Sequence, residues 1–104
     1  MRRALTLIAL LLAPPAQAVT EQEAYEAYLA CFAQASERLM PNWCHDVDKL
    51  AEFSHQSCLQ ETVAVSQTAR VRSPQRARLN VEMDAKLQLY DAVRNYRAQG
   101  SCTR

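Results

Sequence analysis

The chain has 104 residues, of which 49% are hydrophobic and 22% charged, and its formal net charge at pH 7 is +1. A charge so close to zero argues against a nucleic-acid-binding protein, which usually carries a strongly basic surface. A chain of this length forms one domain with a modest core, so covalent cross-links are expected to contribute to its stability.

Residues 1–18 have the organisation of a secretory signal peptide. Two arginines begin this segment, an apolar run follows over residues 4–13, and Ala16-Gln17-Ala18 matches a small-residue cleavage site. The apolar run is about half as long as a membrane-spanning helix requires. We therefore predict a periplasmic or secreted protein. Its mature part would be a single domain over residues 19–104, without a transmembrane segment after cleavage.

Cysteine pairing can be predicted from helix geometry. An even number of cysteines in a small exported domain indicates disulfides, and this chain has four. In an antiparallel helical hairpin, residues equally distant from the turn lie opposite each other, which pairs Cys31 with Cys58 and Cys44 with Cys102. Fourteen residues of helix between Cys44 and Cys58 would span about 21 Å. A disulfide needs roughly 4.4–6.8 Å between α-carbons, so the pairing of Cys44 with Cys58 is excluded. Pairing Cys31 with Cys44, or Cys58 with Cys102, suffers much the same mismatch.

A first helix is predicted over about residues 20–40. Thr20 and Glu23 form a T-x-x-E capping box at its start, and Pro41 is expected to end it. Apolar and small residues recur at steps of three and four and predict one buried stripe, formed by Tyr25, Tyr28, Leu29, Phe32, Ala35, Ser36 and Leu39.

A second helix is predicted over residues 46–71, with Asp46 as its N-cap. Its broad inner face suits contact with two neighbouring helices and contains Val47, Leu50, Ala51, Phe53, Ser54, Cys58, Val65, Thr68 and Ala69.

A third helix is predicted over residues 74–99. Ser73 can cap it, Pro74 suits its first position, and Gly100 suits the left-handed conformation that follows a helix end. Its expected core face contains Leu79, Met83, Leu87, Leu89, Tyr90, Val93 and Tyr96. Three helices with short connections predict an all-α fold, a small antiparallel three-helix bundle with two disulfides.

The charges are unevenly distributed. Residues 21–61 contain eight acids and two bases, whereas residues 62–104 contain eight bases and three acids. Arginines cluster around the second turn, at Arg70, Arg72, Arg76 and Arg78. A solvated bundle tip is the ordinary interpretation of this cluster. The alternative is a docking patch for an acidic protein surface or a phosphate-bearing envelope polymer, with Trp43, Leu59 and Val63 as further partner-binding candidates.

A second candidate site lies on the outer side of the second helix. His45, Asp48, Glu52 and His55 follow one another at steps of three, four and three. Imidazole and carboxylate groups at this spacing are weak candidates for ligands of zinc, nickel or copper(II). The stripe spans about 15 Å, which is too long for one ion to contact both ends. A solvated helix face is the more ordinary interpretation.

Nothing in the sequence indicates catalysis, since there is no phosphate-binding glycine loop and no serine spaced to act with a histidine and an acid. We expect a protein that is not an enzyme and has no cofactor. Its expected function is to bind a protein in the cell envelope as an inhibitor, immunity factor or adaptor would. The alternative is a periplasmic metal-binding or metal-responsive protein that uses the His45 to His55 stripe.

Overall fold

The computed structural model describes residues 19–70 and 73–102. These residues form four helices and no strand: α1 (Glu21–Trp43), α2 (Val47–Gln56), α3 (Leu59–Thr68) and α4 (Pro74–Ala98). Helix α1 packs against each of the other three, and α4 also contacts α2 and α3. The predicted all-α bundle is confirmed. The predicted signal peptide lies outside the described residues.

The starts of α1, α2 and α4 are set by local hydrogen bonds that the sequence predicts, whereas α3 begins after Cys58 without a side-chain cap. The Thr20 hydroxyl accepts the backbone N–H of Glu23, and the Glu23 carboxylate accepts the backbone N–H of Thr20, both at 3.0 Å. Asp46 and Ser73 each accept the backbone N–H three residues further on, at 3.2 and 3.1 Å. At the other end of α4, Gly100 adopts a φ of 76°, which favours glycine.

Both predicted disulfides are confirmed. Cys31 and Cys58 join with a Cα–Cα distance of 6.0 Å, and Cys44 and Cys102 with one of 5.8 Å. The first bond fastens α1 to the junction between α2 and α3. The second holds the segment after α4 to the end of α1. The bundle is therefore cross-linked at two separate heights.

Helix α1 continues beyond the end that Pro41 was expected to impose. Pro41 lies inside its last turn, and the helix ends at Trp43. The additional turn places the Trp43 ring 5.0 Å from the Phe53 ring in an edge-on arrangement. Aromatic packing across the first turn of the chain thus accompanies the extension of the helix past the proline.

The predicted second helix, residues 46–71, is in fact two helices. The chain departs from helical geometry at Cys58, whose φ and ψ are −124° and 33°. Its backbone N–H bonds to the carbonyl of His55 at 2.9 Å, three residues back, which tightens the turn. No proline or glycine marks this break. It coincides with the disulfide to Cys31, and α2 and α3 both bury residues on either side of it.

The inner face of α4 differs from the predicted one. Leu79, Met83, Leu87 and Tyr90 were expected in the core but are 42–60% exposed. The buried row of α4 instead consists of Ala77, Val81, Ala85, Leu89 and Val93. Only Leu89 and Val93 were predicted in this row. Alanines at two of its positions let the α4 backbone approach its neighbours closely, and larger residues would hold the helix further away.

Candidate functional site

A row of uncovered apolar side chains runs along the outer side of α4. This outer stripe consists of Leu79, Met83, Leu87 and Tyr90, which are 59, 60, 55 and 42% exposed. Steps of four, four and three residues place them on one helix face. Eleven residues of helix separate the first from the last, a distance of about 16 Å. The outer stripe is therefore one residue wide and about three turns long.

Three bases border the outer stripe. Arg76 precedes Leu79 by three residues, Lys86 follows Met83 by three, and Arg94 follows Tyr90 by four, so each shares the helix face of the stripe. All three are exposed. We call Arg76, Lys86 and Arg94 the basic border.

Helix α4 carries three acids, two of which neighbour bases of the basic border. Asp84 accepts a hydrogen bond from the Tyr25 hydroxyl of α1, and Asp91 pairs with Arg94 of the basic border. Glu82 is half-buried and lines a pocket against α1 and α2. Within residues 19–70 and 73–102, neither Arg76 nor Lys86 forms an ion pair. Three bases and two flanking acids, Asp91 and Glu82, leave the face around the outer stripe with a net positive charge.

The partner-binding residues predicted from the sequence occupy several places. Arg70, Arg76 and Arg78 are exposed around the start of α4, while Arg72 lies outside the described residues. Arg76 belongs both to this cluster and to the basic border. The arginine cluster and the outer stripe therefore meet at the first turns of α4.

The apolar candidates differ in exposure. Leu59 and Val63 are 55 and 52% exposed and lie one turn apart on α3. Trp43 is half-buried; the His45 ring stacks on it at 6.4 Å, and the Phe53 ring meets it edge-on. Trp43 thus covers the end of the core more than it offers an anchor.

Sequence reasoning placed the outer stripe in the core because its residues are larger than those of the true inner face. A signal was available nonetheless. Helix α4 carries two apolar rows on different sides, whereas a bundle of this size has neighbours for only one. Ala77 and Ala85, in the row that proves to be the inner one, indicated close packing of the helices.

A pocket of about 350 Å³ lies between α1, α2 and α4. We call it the histidine pocket; it is lined by Tyr28, Phe32, Asp48, Ala51, Glu52, His55, Glu82 and Lys86. Its floor is aromatic and its sides carry charged groups from two helices. Three of the four residues predicted as weak metal ligands, Asp48, Glu52 and His55, line it.

The Tyr28 hydroxyl is the most strongly perturbed titratable group of this pocket. Tyr28 is 0% exposed, and its oxygen lies 2.8 Å from Nδ1 of His55. Burial, with the Glu82 carboxylate acting in the same direction, raises the pKa of Tyr28 to about 12, and a hydrogen bond with Thr62 acts against this rise. The phenol therefore keeps its proton and serves as a hydrogen-bonding partner of His55.

Possible metal ligands are only partly brought together. His45 stacks on Trp43 and does not line the histidine pocket. Among the described residues, the set of three potential ligands whose atoms lie within 4.8 Å of one another is Cys31, Cys58 and Glu61. Both sulfurs of that set are joined in a disulfide and are not thiolate ligands.

A groove of about 550 Å³ separates α1 from the C-terminal half of α4. Its floor includes Phe32, Met40 and Leu89, which also belong to the core. Gln34, Glu37, Gln88, Asn95 and Gln99 form a polar rim. The groove lies on the side of α4 opposite the outer stripe.

Among the described helices, none is both long enough and apolar enough to cross a membrane. Comparison of the chain with protein-family models, curated proteins and solved structures finds no significant match.

Proposed function

We propose that this chain is a small exported protein-binding module, acting as an inhibitor, immunity factor or envelope adaptor would, and that the outer stripe is its main contact surface. The observation that carries the proposal is the exposure of four large apolar side chains, 42–60%, in one row on α4. Single exposed apolar residues are ordinary, but a contiguous row is typical of an interaction surface. The proposal includes no catalytic role and no cofactor.

Two disulfides and no free cysteine among the described residues support the exported location. Such bonds persist in oxidising compartments such as the bacterial periplasm. The signal-like residues 1–18 support the same location, because they combine a basic start, an apolar run and a small-residue cleavage site.

The scaffold suits a contact surface that does not rearrange on binding. Helix α4 is continuous over 25 residues, and its end is held by the bond between Cys44 and Cys102. The Arg97 guanidinium donates to the Cys44 carbonyl at 2.8 Å and adds a second link there. A contact surface that is already ordered loses little conformational entropy when a partner binds.

Retention of an envelope partner on two single-charge variants tests this proposal. Met83→Glu places a carboxylate in the outer stripe, and Gln56→Glu places one on the exposed side of α2 as a matched control. We expect capture from envelope extract by the unmodified protein and by Gln56→Glu, and loss of capture by Met83→Glu. Equal capture by both variants, or none by any protein, would contradict the proposal.

A separate variant tests whether the arginine cluster takes part in the contact. Reversal of Arg76 and Arg78 to glutamate is expected to weaken the same capture and to reduce its dependence on salt. Capture that is indifferent to this reversal would restrict the contact to the apolar row.

Metal binding in the histidine pocket is a second candidate function. The observation behind it is that Asp48, Glu52, His55 and Glu82 line one cavity, although among the described residues no three of their ligand atoms lie within 4.8 Å of one another. Calorimetric titration with zinc, nickel and copper(II) tests it, with His55→Ala as the disrupting variant and His45→Ala as the matched control. Binding that is lost only in His55→Ala would support this function. An absence of heat in the oxidised protein would remove it.

A further inference from the structure

We infer that the partner element seated on the outer stripe is an amphipathic helix with acidic side chains beside its apolar row. This inference rests on the proposed function and adds the shape and the charge of the partner.

The shape of the outer stripe favours a helix as its occupant. The stripe is one residue wide and about 16 Å long, the length of three helical turns. Its steps of four, four and three residues, from Leu79 to Tyr90, are the spacing by which one helix contacts another along a seam. A second apolar row of similar length would cover it completely.

The charges around the outer stripe indicate which charges the partner carries beside its apolar row. Arg76, Lys86 and Arg94 share its face, whereas two acids flank it: Asp91 is paired with Arg94, and Glu82 lines the histidine pocket beside Lys86. The surrounding face therefore keeps an excess of positive charge. Acidic residues on the partner would complement it, speed the encounter and discriminate against basic helices.

A second copy of this chain is a poor occupant. An antiparallel copy centred on the stripe places Arg76 opposite Arg94 of its mate, since both lie about nine residues from the centre. A parallel copy places each base beside its own equivalent. Both arrangements bring like charges together along the seam, which opposes self-association.

An anionic lipid surface fits less well than a helix. Interfacial helices bury a wide apolar face in the membrane. Here the apolar row is narrow, and Asp91 beside it is exposed and polar.

Two synthetic peptides provide the test. Both are four-turn helices with the same leucine row, one with glutamates beside that row and the other with lysines. Binding to the full mature protein is measured by fluorescence anisotropy at low salt. We expect the glutamate peptide to bind at least tenfold more tightly than the lysine peptide, and Met83→Gln to weaken its binding at least tenfold.

Charge-reversed variants distinguish the contribution of the basic border to binding from that of the outer stripe. Lys86→Glu combined with Arg94→Glu is expected to reverse the preference between the two peptides. Arg38→Glu combined with Lys49→Glu changes the same number of exposed bases on α1 and α2, and is expected to preserve the preference.

The remaining outcomes would overturn the inference. Equal binding of the two peptides would mean that the basic border does not select the partner. Binding of neither peptide, with Met83-dependent capture from envelope extract intact, would reject the helix and leave the proposed function standing; loss of both would reject the two together. Dimerisation that Met83→Glu abolishes would assign the stripe to a second copy. Met83-dependent binding to phosphatidylglycerol vesicles but not to phosphatidylcholine vesicles would assign it to lipid.

Discussion

The two sides of α4 carry apolar residues in opposite environments. Leu89 on the inner side is 2% exposed, whereas Leu87, two residues earlier, is 55% exposed. The inner row is built mainly from alanine and valine, and the outer stripe from leucine, methionine and tyrosine. The larger side chains thus lie on the side that the bundle leaves uncovered.

This difference shows that the size of an apolar side chain on α4 does not decide whether it is buried. The inner side must bring α4 close to its neighbours, and Ala77 and Ala85 allow this because they add little beyond the backbone. The outer stripe contributes little to folding, since exposed residues gain little from burial. Its apolar character therefore calls for an explanation outside the folded chain, which the proposed partner provides.

The largest expected effect comes from a matched pair of leucine truncations. Leu89→Ala removes buried volume and leaves a cavity, so it should lower the free energy of unfolding by about 2–5 kcal/mol. Leu87→Ala should change it by less than about 0.5 kcal/mol. Urea denaturation followed by circular dichroism measures both. Similar losses would show that the two sides of α4 are equally buried in solution.

Removal of the disulfides tests what holds the C-terminal end of α4 in place. Replacing either pair with alanine should lower the free energy of unfolding by about 2–4 kcal/mol. Cys44 and Cys102 are 58 residues apart and Cys31 and Cys58 are 27 apart. Loop-closure entropy then predicts a loss larger by about 0.6 kcal/mol for the longer loop.

Hydrogen exchange distinguishes the two disulfides further. Loss of the bond from Cys44 to Cys102 should increase exchange in the last turns of α4, and loss of the other bond should do so around the junction of α2 and α3. Unchanged protection at the end of α4 would contradict a role for its disulfide there.

The pH dependence of stability should report on Tyr28, which lies beside Glu82 of α4. The pKa of Tyr28 is raised from 10.0 to about 12. Its contribution is therefore complete below pH 10 and is lost as the pH rises towards 12, because the unfolded chain ionises first. A pKa difference of about two between the folded and unfolded chain corresponds to roughly 2–3 kcal/mol in the free energy of unfolding.

Denaturation at pH 9 to 12 measures this loss, and Tyr28→Phe should remove it. Tyr90→Phe, which deletes an exposed hydroxyl from the outer stripe, is the control. A steep loss that persists in Tyr28→Phe would assign the alkaline transition to other groups.

The smallest expected effect is a gain in stability from the core. The Ser54 hydroxyl is buried and has no hydrogen-bond partner among the described residues, whereas buried Ser36 donates to the Ala33 carbonyl at 3.0 Å. Ser54→Ala should raise the free energy of unfolding by about 1 kcal/mol, because an unsatisfied polar group is removed. Ser36→Ala, the matched variant, should not raise the free energy of unfolding, because the Ser36 hydroxyl already has a hydrogen-bond partner. Destabilisation by Ser54→Ala would indicate that its hydroxyl is satisfied in solution.

Much of the fold could be predicted because its signals are local or follow from simple geometry. The cap at Thr20 and the starts at Asp46 and Ser73 depend on side chains that bond to nearby backbone. The disulfide pairing follows from the rise per residue of a helix. The inner stripe of α1 was recovered in part: Tyr28, Phe32, Ala35 and Ser36 are buried, and Tyr25, Leu29 and Leu39 are half-buried.

The candidate site was predicted less well. The exposed arginines around the start of α4 and the apolar pair Leu59 and Val63 could be anticipated, but the outer stripe was assigned to the core. Two apolar rows on one helix cannot be told apart by periodicity alone. Asp48, Glu52 and His55 of the histidine pocket were predicted to lie together on one helix face. Tyr28 and Glu82 come from other helices, so helical spacing could not place them there.

By itself, the sequence determined the helical class, the starts of α1, α2 and α4 and the cysteine pairs, because these depend on interactions within a few turns or across one hairpin. Only the tertiary structure decided which side of α4 faces the core, and where the predicted second helix breaks. These features depend on how closely the helices approach and on the position of Cys58 opposite Cys31. The outer stripe is therefore visible as a surface only once the bundle is assembled.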